Sequence, residues 1–133
     1  MVEPVWLDKA LVLALYDDVV AASGGAAGLF NEGLLESALA RPINRRLYEG
    51  VEDVLELGAT YMRSASPRTT FFDGNKRIAF IALGQFLIDN GLVLTASDDD
   101  ATEIMLAVAR REVNIEQLTL WLHSRAVGFF RRR

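Results

Sequence analysis

Residues 69–77 read Thr-Thr-Phe-Phe-Asp-Gly-Asn-Lys-Arg and lead directly into the apolar run Ile-Ala-Phe-Ile-Ala-Leu of residues 78–83. A Gly-Asn turn that opens a helix leaves backbone N–H groups unpaired at the positive end of the helix dipole. Lys76 and Arg77 add positive charge there, and Asp73 adds a carboxylate of the kind that holds Mg²⁺ beside substrate phosphates. The segment therefore predicts a nucleotide-phosphate site. The alternative is an ordinary turn and helix cap, because Asp, Gly and Asn are common at both.

The apolar periodicity predicts an all-α protein built around a central helix over residues 75–90. This helix is apolar nearly all round, which is typical of a helix in the middle of a bundle. A polar, irregular segment over residues 42–50 is predicted to form a small flap or hairpin, because Pro42 restricts the preceding residue and so closes a helix. The other predicted elements are helices over 7–22, 32–40, 51–64, 97–111 and 114–126, and an extended connector over 92–94.

Length and composition indicate a single domain over residues 1–133, long enough for a full hydrophobic core. The net charge of −4 argues against direct nucleic-acid binding, and no apolar run is long enough to cross a membrane. The chain has no cysteine and no secretory leader pattern, which fits a cytoplasmic protein. Residues 1–5 and 128–133 are predicted to be frayed ends, and the terminal arginines 131–133 have no assigned role.

The sequence resembles the Fic/Doc family, and within it the Doc (death-on-curing) branch of toxin–antitoxin modules. The resemblance runs from about Trp6 to Val127, and its most specific part is Phe71-x-Asp73-Gly74-Asn75-Lys76-Arg77. Lys76 and Phe80 follow the Doc pattern, since the larger Fic family typically has Gly and Arg at these two positions. Residues 31–42 and 107–110 are also similar to stretches common in this branch. The resemblance implies a Fic/Doc-type helical bundle with the motif at the start of the central helix.

The resemblance also implies a role for each motif residue. Asp73 would hold Mg²⁺ and, with Lys76, would belong to the catalytic centre. Phe71 would pack inward and fix the loop. The residues that bind the phosphates of ATP would be Gly74, Asn75, Lys76 and Arg77.

Doc-type members move the terminal phosphate of ATP to a threonine of elongation factor Tu and so stop translation, whereas other Fic proteins move AMP. The segment 42–50 corresponds to the family's flap, which docks the target as an added strand. Arg45, Arg46 and Tyr48 would then lie near the acceptor peptide, although a solvated loop would carry the same residues. Neither Glu-Gly pair of the chain fits the family's internal inhibitory pattern, so inhibition would come from a separate, Phd-like antitoxin.

Thr69 occupies the position of the family's catalytic histidine. A threonine hydroxyl does not accept a proton near neutral pH, and general-base assistance is worth about 10²–10⁴ in rate. The chain's one histidine, His123, is predicted in the last helix, where a surface role competes with that of a substitute base. Thr69 is either an engineered change or natural divergence, and the adjacent departures at Arg68 and Thr70 favour divergence. Two functions stay open: a toxin-like transferase, or a catalytically silent module that binds an antitoxin-like partner.

Overall fold

The computed structural model describes residues 3–23, 32–65 and 75–129. The helices of this part of the chain are α1 Lys9–Ser23, α2 Glu32–Glu49, α3 Val54–Ala65, α4 Asn75–Asp89, α5 Asp98–Ala109 and α6 Ile115–His123. The strands are β1 Leu92–Leu94 and β2 Ala126–Gly128. The all-α fold that the sequence predicts is therefore confirmed, and the second helix shows the largest departure from the predicted bounds. No helix among the described residues has the length and apolar character needed to span a bilayer.

The last two helices begin at side-chain caps that the sequence predicts. The Ser97 hydroxyl accepts a hydrogen bond of 3.1 Å from the backbone N–H of Asp100, which opens α5. At the start of α6, the Asn114 side chain accepts from the amide of Gln117 at 2.8 Å, and the Gln117 side chain accepts from the amide of Asn114 at 2.9 Å. This reciprocal pair is a capping box, which satisfies two N–H groups that the helix itself leaves unpaired.

The core of the bundle lies where α3 packs against α2, α4 and α6. Leu57 and Met62 of α3, and Leu83 of α4, are completely buried. The two helices approach closely at Gly58, where a Cβ atom would lie 2.8 Å from Cδ1 of Leu83. A Cβ atom at this crossing would therefore require the Leu83 side chain to shift. α4 occupies the central position predicted for it.

The segment that precedes α1 is tied to this core by aromatic side chains. The ring of Phe86 meets Tyr61 edge to face at 4.9 Å and stacks with Trp6 at 6.1 Å between centroids. The Tyr61 hydroxyl accepts a hydrogen bond of 3.2 Å from the amide of Leu7. Burial raises the pKa of Tyr61 to about 12, so this hydroxyl stays protonated over the whole physiological range.

Contrary to the sequence-based prediction, α2 continues through Pro42 and stops just before Gly50, so the flap or hairpin predicted over 42–50 is wrong. Proline removes one helical hydrogen bond, and this cost is offset where α2 packs on α3. Pro42 itself is buried, and the Arg45 guanidinium reaches across to the Glu56 carboxylate at 2.8 Å. Gly50 ends the helix with φ of +72°, in the left-handed region that glycine adopts without strain.

The extended connector predicted over 92–94 is confirmed as β1, and the structure adds its partner. β1 pairs in antiparallel fashion with β2, so that Leu92 lies opposite Gly128 and Leu94 opposite Ala126. The helix predicted over 114–126 therefore ends earlier, at His123, because Ala126 already belongs to the strand. Pairing of these distant segments holds the C-terminal part of the described chain against the end of α4.

Both ends of the described chain are held by hydrogen bonds, so the frayed ends predicted at 1–5 and 128–133 do not extend to Val5 or Gly128. The Asn90 side chain accepts from the amide of Val5 at 2.8 Å and donates to its carbonyl at 3.0 Å. Just beyond β2, the amide of Phe129 donates to the carbonyl of Gly91 at 3.1 Å. The turn after α4 thus anchors both ends. Residues 1–2 and 130–133 lie outside the described residues.

Candidate functional site

The N-terminus of α4 is the part of the predicted phosphate site that the structure describes. The helix begins at Asn75, as predicted, and carries no acidic residue in its first turn. Arg77 is exposed in that turn, where a guanidinium and the positive end of the helix dipole together favour an anion. The motif residues that lie outside the described residues are Thr69, Phe71, Asp73 and Gly74. The side chains of Asn75 and Lys76 also lie outside them, so the roles of all these residues stay predictions.

The first turn of α4 is anchored by buried residues that follow it in the helix. Immediately after Arg77, the side chains of Ile78 and Ala79 are each 1% exposed and belong to the hydrophobic core. One turn further on, Leu83 is completely buried against α3. A site placed at this helix end is therefore held by packed core residues, which is the support that precise positioning of a phosphate requires.

A cavity of about 440 Å³ opens at the C-terminal end of α3. Its walls come from α2, the last turn of α3, the turn between α5 and α6, and the first turn of α6. The polar residues that line it include Ser37, Arg41, Arg63, Arg111, Asn114 and Glu116. Ser64, one residue before the end of α3, also lines it. The cavity thus lies at the end of α3 from which residues 66–74 lead into α4.

Three arginines give this cavity a positive wall: Arg41 from α2, Arg63 from α3, and Arg111 from the turn after α5. The Nε of Arg63 donates a hydrogen bond of 3.1 Å to the carbonyl of Val113, which fixes its guanidinium at the wall. Burial lowers the pKa of Arg63, and the positive charges of Arg111 and Arg41 lower it further. Like charges are therefore concentrated around a partly desolvated guanidinium.

Arg111 occupies a backbone position that normally belongs to glycine. Its φ is 62°, and the turn after α5 has the two hydrogen bonds of a Schellman motif. The amide of Arg111 donates to the carbonyl of Val108 at 3.0 Å, and the amide of Glu112 donates to that of Ala107 at 2.9 Å. The left-handed conformation costs a residue with a Cβ atom about 1–2 kcal/mol. A charged side chain is thus held at the cavity at a conformational cost.

Two of the residues predicted to dock the target, Arg45 and Arg46, form ion pairs within the bundle. The Arg45 side chain is 16% exposed and pairs with Glu56 at 2.8 Å. The buried Nε of Arg46 lies 3.6 Å from the Glu52 carboxylate, beyond hydrogen-bond distance. Tyr48, by contrast, is 82% exposed. Arg45 thus joins α2 to α3, and Arg46 lies beside the segment between them. A docking role for the three residues stays a prediction.

His123 lies at the end of α6 with a carboxylate partner. Its Nε2 is 2.8 Å from Oδ2 of Asp53, whose other oxygen accepts a hydrogen bond of 2.9 Å from the amide of Leu55 at the start of α3. Residues 66–74 follow the opposite end of α3, which is a helix about 18 Å long at 1.5 Å per residue. The structure therefore favours the surface role of His123 over that of a substitute base.

The arginine cavity is the feature that sequence reasoning missed. Arg41, Arg63 and Arg111 stand on three separate elements, and no local pattern connects them. One signal was present in the sequence: two arginines end the fifth predicted helix, at a point where glycine commonly terminates helices. That signal predicts an unusual turn but not what its side chain faces.

The chain matches the Fic/DOC family over residues 6–87 and belongs to that family. The matched span includes the whole motif at 69–77, all of α3, and α4 as far as Leu87. Over 107 residues the chain is 29% identical to Protein kinase doc of Escherichia phage P1, which covers 80% of this chain and 84% of that protein. Over 102 residues it is 33% identical to Toxin Doc of Mycolicibacterium smegmatis, which covers 73% of this chain and 77% of that protein.

Proposed function

We propose that this chain is a Doc-type toxin that transfers the terminal phosphate of ATP to a hydroxyl of a protein target, slowly because Thr69 replaces the family's histidine. Membership of the Fic/DOC family over residues 6–87, motif included, is the observation that carries the proposal. The similarity to a relative named Protein kinase doc supports phosphate over AMP as the transferred group. By resemblance, the target is a translation factor such as elongation factor Tu, and the activity is held in check by a Phd-like antitoxin.

The described part of the site suits the phosphates of a nucleotide. The first turn of α4 combines the positive helix end, the exposed Arg77 and the absence of any acidic side chain in that turn. Asp73 would hold Mg²⁺, which when bound neutralises phosphate charge. Among the described residues, no group of three or more His, Cys, Asp or Glu side chains is placed to hold a metal ion. The proposed metal site therefore rests on Asp73 and the phosphates themselves.

In the proposed reaction, the target's hydroxyl oxygen forms a bond to the γ-phosphorus while the bond from that phosphorus to the bridging oxygen of ATP breaks. ADP leaves, and without a side-chain base the hydroxyl proton passes to solvent water. Thr69 does not accept this proton near neutral pH, and His123 is engaged with Asp53. Loss of general-base assistance slows such a transfer by about 10²–10⁴. The proposal therefore combines an intact phosphate site with weak catalysis.

Calorimetric titration of the full chain with Mg²⁺ and ATP tests the phosphate site. We expect binding by the unaltered chain, and weaker binding after Asp73→Ala or Arg77→Ala. Arg110→Gln is the matched control, because it removes one exposed positive charge from a different element, at the residue that follows α5. Unchanged affinity in both Asp73→Ala and Arg77→Ala would refute the site, and loss of affinity in Arg110→Gln would point to a general charge effect.

Restoring the histidine tests the catalytic part of the proposal. We expect Thr69→His to raise transfer from ATP to elongation factor Tu by about 10²–10⁴, the usual worth of a general base. Parallel assays with label on the γ- or the α-phosphorus distinguish phosphate transfer from AMP transfer. Incorporation of the γ-label supports the proposal, whereas incorporation of the α-label alone would show that AMP is the transferred group.

The second candidate function is a catalytically silent module that binds an antitoxin-like partner. Thr69 favours it, since a module selected only for binding has no need of a base. Under this alternative, Thr69→His stays inactive and Mg²⁺–ATP does not bind, while co-purification with a co-expressed Phd-like protein persists. Toxicity gained on introducing the histidine would exclude this candidate.

A further inference from the structure

We propose that the cavity lined by Arg41, Arg63 and Arg111 is a second anion site, which binds a multiply charged phosphate group of a small molecule. Its volume of about 440 Å³ falls within the range of roughly 300–1,000 Å³ typical of small-molecule sites. None of the described residues of α4 lines the cavity. The described lining of the proposed site thus comes from other elements than α4, and the variants below separate it from the phosphate site at the start of α4.

The three cavity arginines have no carboxylate partner among the described residues, whereas four other basic side chains do. Lys9, Arg45, Arg46 and Arg125 each form an ion pair with a carboxylate. Within the described part of the chain, none of the three cavity arginines does so. Neighbouring cations without a counter-ion repel one another, most strongly where water is partly excluded. A bound anion would remove that repulsion, so the fold is complementary to a negative ligand.

The geometry of Arg63 suits phosphate. Its Nε is already bonded to the carbonyl of Val113 at 3.1 Å, which leaves both Nη groups free of hydrogen bonds to described residues. A guanidinium held in this way presents a planar pair of donors that matches two phosphate oxygens. Arg41 and Arg111 are exposed at the same wall and can approach the same group from other sides. Three guanidinium groups offer more hydrogen-bond donors than a single carboxylate can accept. The arrangement therefore favours a phosphate group.

The backbone of Arg111 supplies an independent reason. The Schellman turn after α5 favours glycine at this position, yet the chain has an arginine there with φ of 62°. Residues held in sparsely populated backbone regions are concentrated at ligand sites, where another interaction compensates for the strain. The Arg111 side chain faces no described carboxylate in an ion pair. Recognition of an anion is the interaction that would compensate.

Glu116 allows a test in which a substitution should strengthen anion binding. It stands in the first turn of α6 and lines the same cavity, so its carboxylate competes with an anion for the arginines. Glu116→Gln should therefore tighten anion binding several-fold. The cavity arginines should act in the opposite direction: Arg63→Met and Arg111→Gly should each weaken binding by about tenfold or more, as expected for loss of a charge-assisted hydrogen bond.

The experiment is calorimetric titration of the full chain with pyrophosphate at low ionic strength. Arg110→Gln is the matched control, because it removes the neighbouring positive charge from outside the cavity lining. Arg111→Gly guards against misfolding, because glycine suits the backbone there. We expect Glu116→Gln to bind pyrophosphate most tightly. The unaltered chain and Arg110→Gln should bind it equally well, and Arg63→Met and Arg111→Gly should bind it most weakly. Absence of pyrophosphate binding, or equal losses in Arg110→Gln and Arg111→Gly, would overturn the proposal.

Arg77→Ala separates this proposal from the proposed function. If pyrophosphate binding survives Arg77→Ala but is lost in Arg111→Gly, the cavity is the site even when ATP transfer fails. If it is lost in Arg77→Ala and retained in Arg111→Gly, the start of α4 is the only phosphate site and the cavity proposal falls. In Arg77→Ala, displacement of pyrophosphate by ATP would assign a nucleotide as the ligand, and displacement by inorganic phosphate alone would assign the free anion.

Discussion

Replacement of Arg111 by glycine should make the protein more stable, which is unusual for removal of a large side chain. The left-handed backbone of Arg111, with φ of 62°, costs about 1–2 kcal/mol for any residue with a Cβ atom. Glycine removes that cost, but it also lowers stability by about 0.4–1 kcal/mol because it makes the unfolded chain more flexible. Relief of repulsion with Arg63 acts in the same favourable direction. We therefore expect Arg111→Gly to raise the free energy of unfolding by about 0.5–1 kcal/mol.

Thermal unfolding followed by circular dichroism, in a low-salt buffer without phosphate, measures this effect. An increase of about 0.5–1 kcal/mol corresponds to a Tm increase of about 2–4 °C for a domain of this size. Arg111→Ala is the matched variant, because it removes the same charge and keeps the Cβ atom. It should be less stable than Arg111→Gly by about 1 kcal/mol. Equal Tm values for the two variants would show that the backbone carries no strain, and the reasoning would be refuted.

Four further predictions concern the core and the helix ends. Tyr61→Phe leaves the amide of Leu7 without an acceptor and should cost about 1–2 kcal/mol in urea unfolding at pH 8. Because Tyr61 ionises at about pH 12 when folded and near 10 when unfolded, the unaltered protein should lose stability as pH rises from 10 towards 12; a similar loss in Tyr61→Phe would contradict this. Gly58→Ala places a Cβ atom 2.8 Å from Leu83 and should lower the unfolding free energy by about 1–3 kcal/mol; an unchanged urea midpoint would show that Leu83 moves aside without cost. Ser97→Ala removes the cap of α5 and should cost about 1 kcal/mol, with Ser97→Asp restoring most of it.

Helix positions were predictable from the sequence where local chemistry sets them. Ser97 and Asn114 are strong N-caps, and both begin helices in the structure. The exception is α2, where Pro42 led to a predicted break. Proline acts locally, but the Arg45–Glu56 ion pair and the packing on α3 join two different helices, and together they keep α2 continuous. A rule based on one residue does not include those contacts.

One candidate site was predictable from local sequence, and the other was not. The motif at 69–77 is contiguous, so residue types and spacing alone were enough to predict a phosphate site at the start of α4. The arginine cavity required the fold, because Arg41, Arg63 and Arg111 come together only when α2, α3 and the turn after α5 pack around one space. Similarly, the pairing of His123 with Asp53 joins the last helix to the third, which no local pattern predicts.

By itself, the sequence determined the helical class, the caps of α5 and α6, the central place of α4 and the family motif, because each depends on residues close together in the chain. The tertiary structure alone decided the continuity of α2, the pairing of β1 with β2, and the positive cavity. Each of these depends on packing and charge between separate elements of the fold. Local propensity is worth about 1 kcal/mol or less for most residues and about 3 kcal/mol for proline, so contacts between elements can override it, as they do at Pro42.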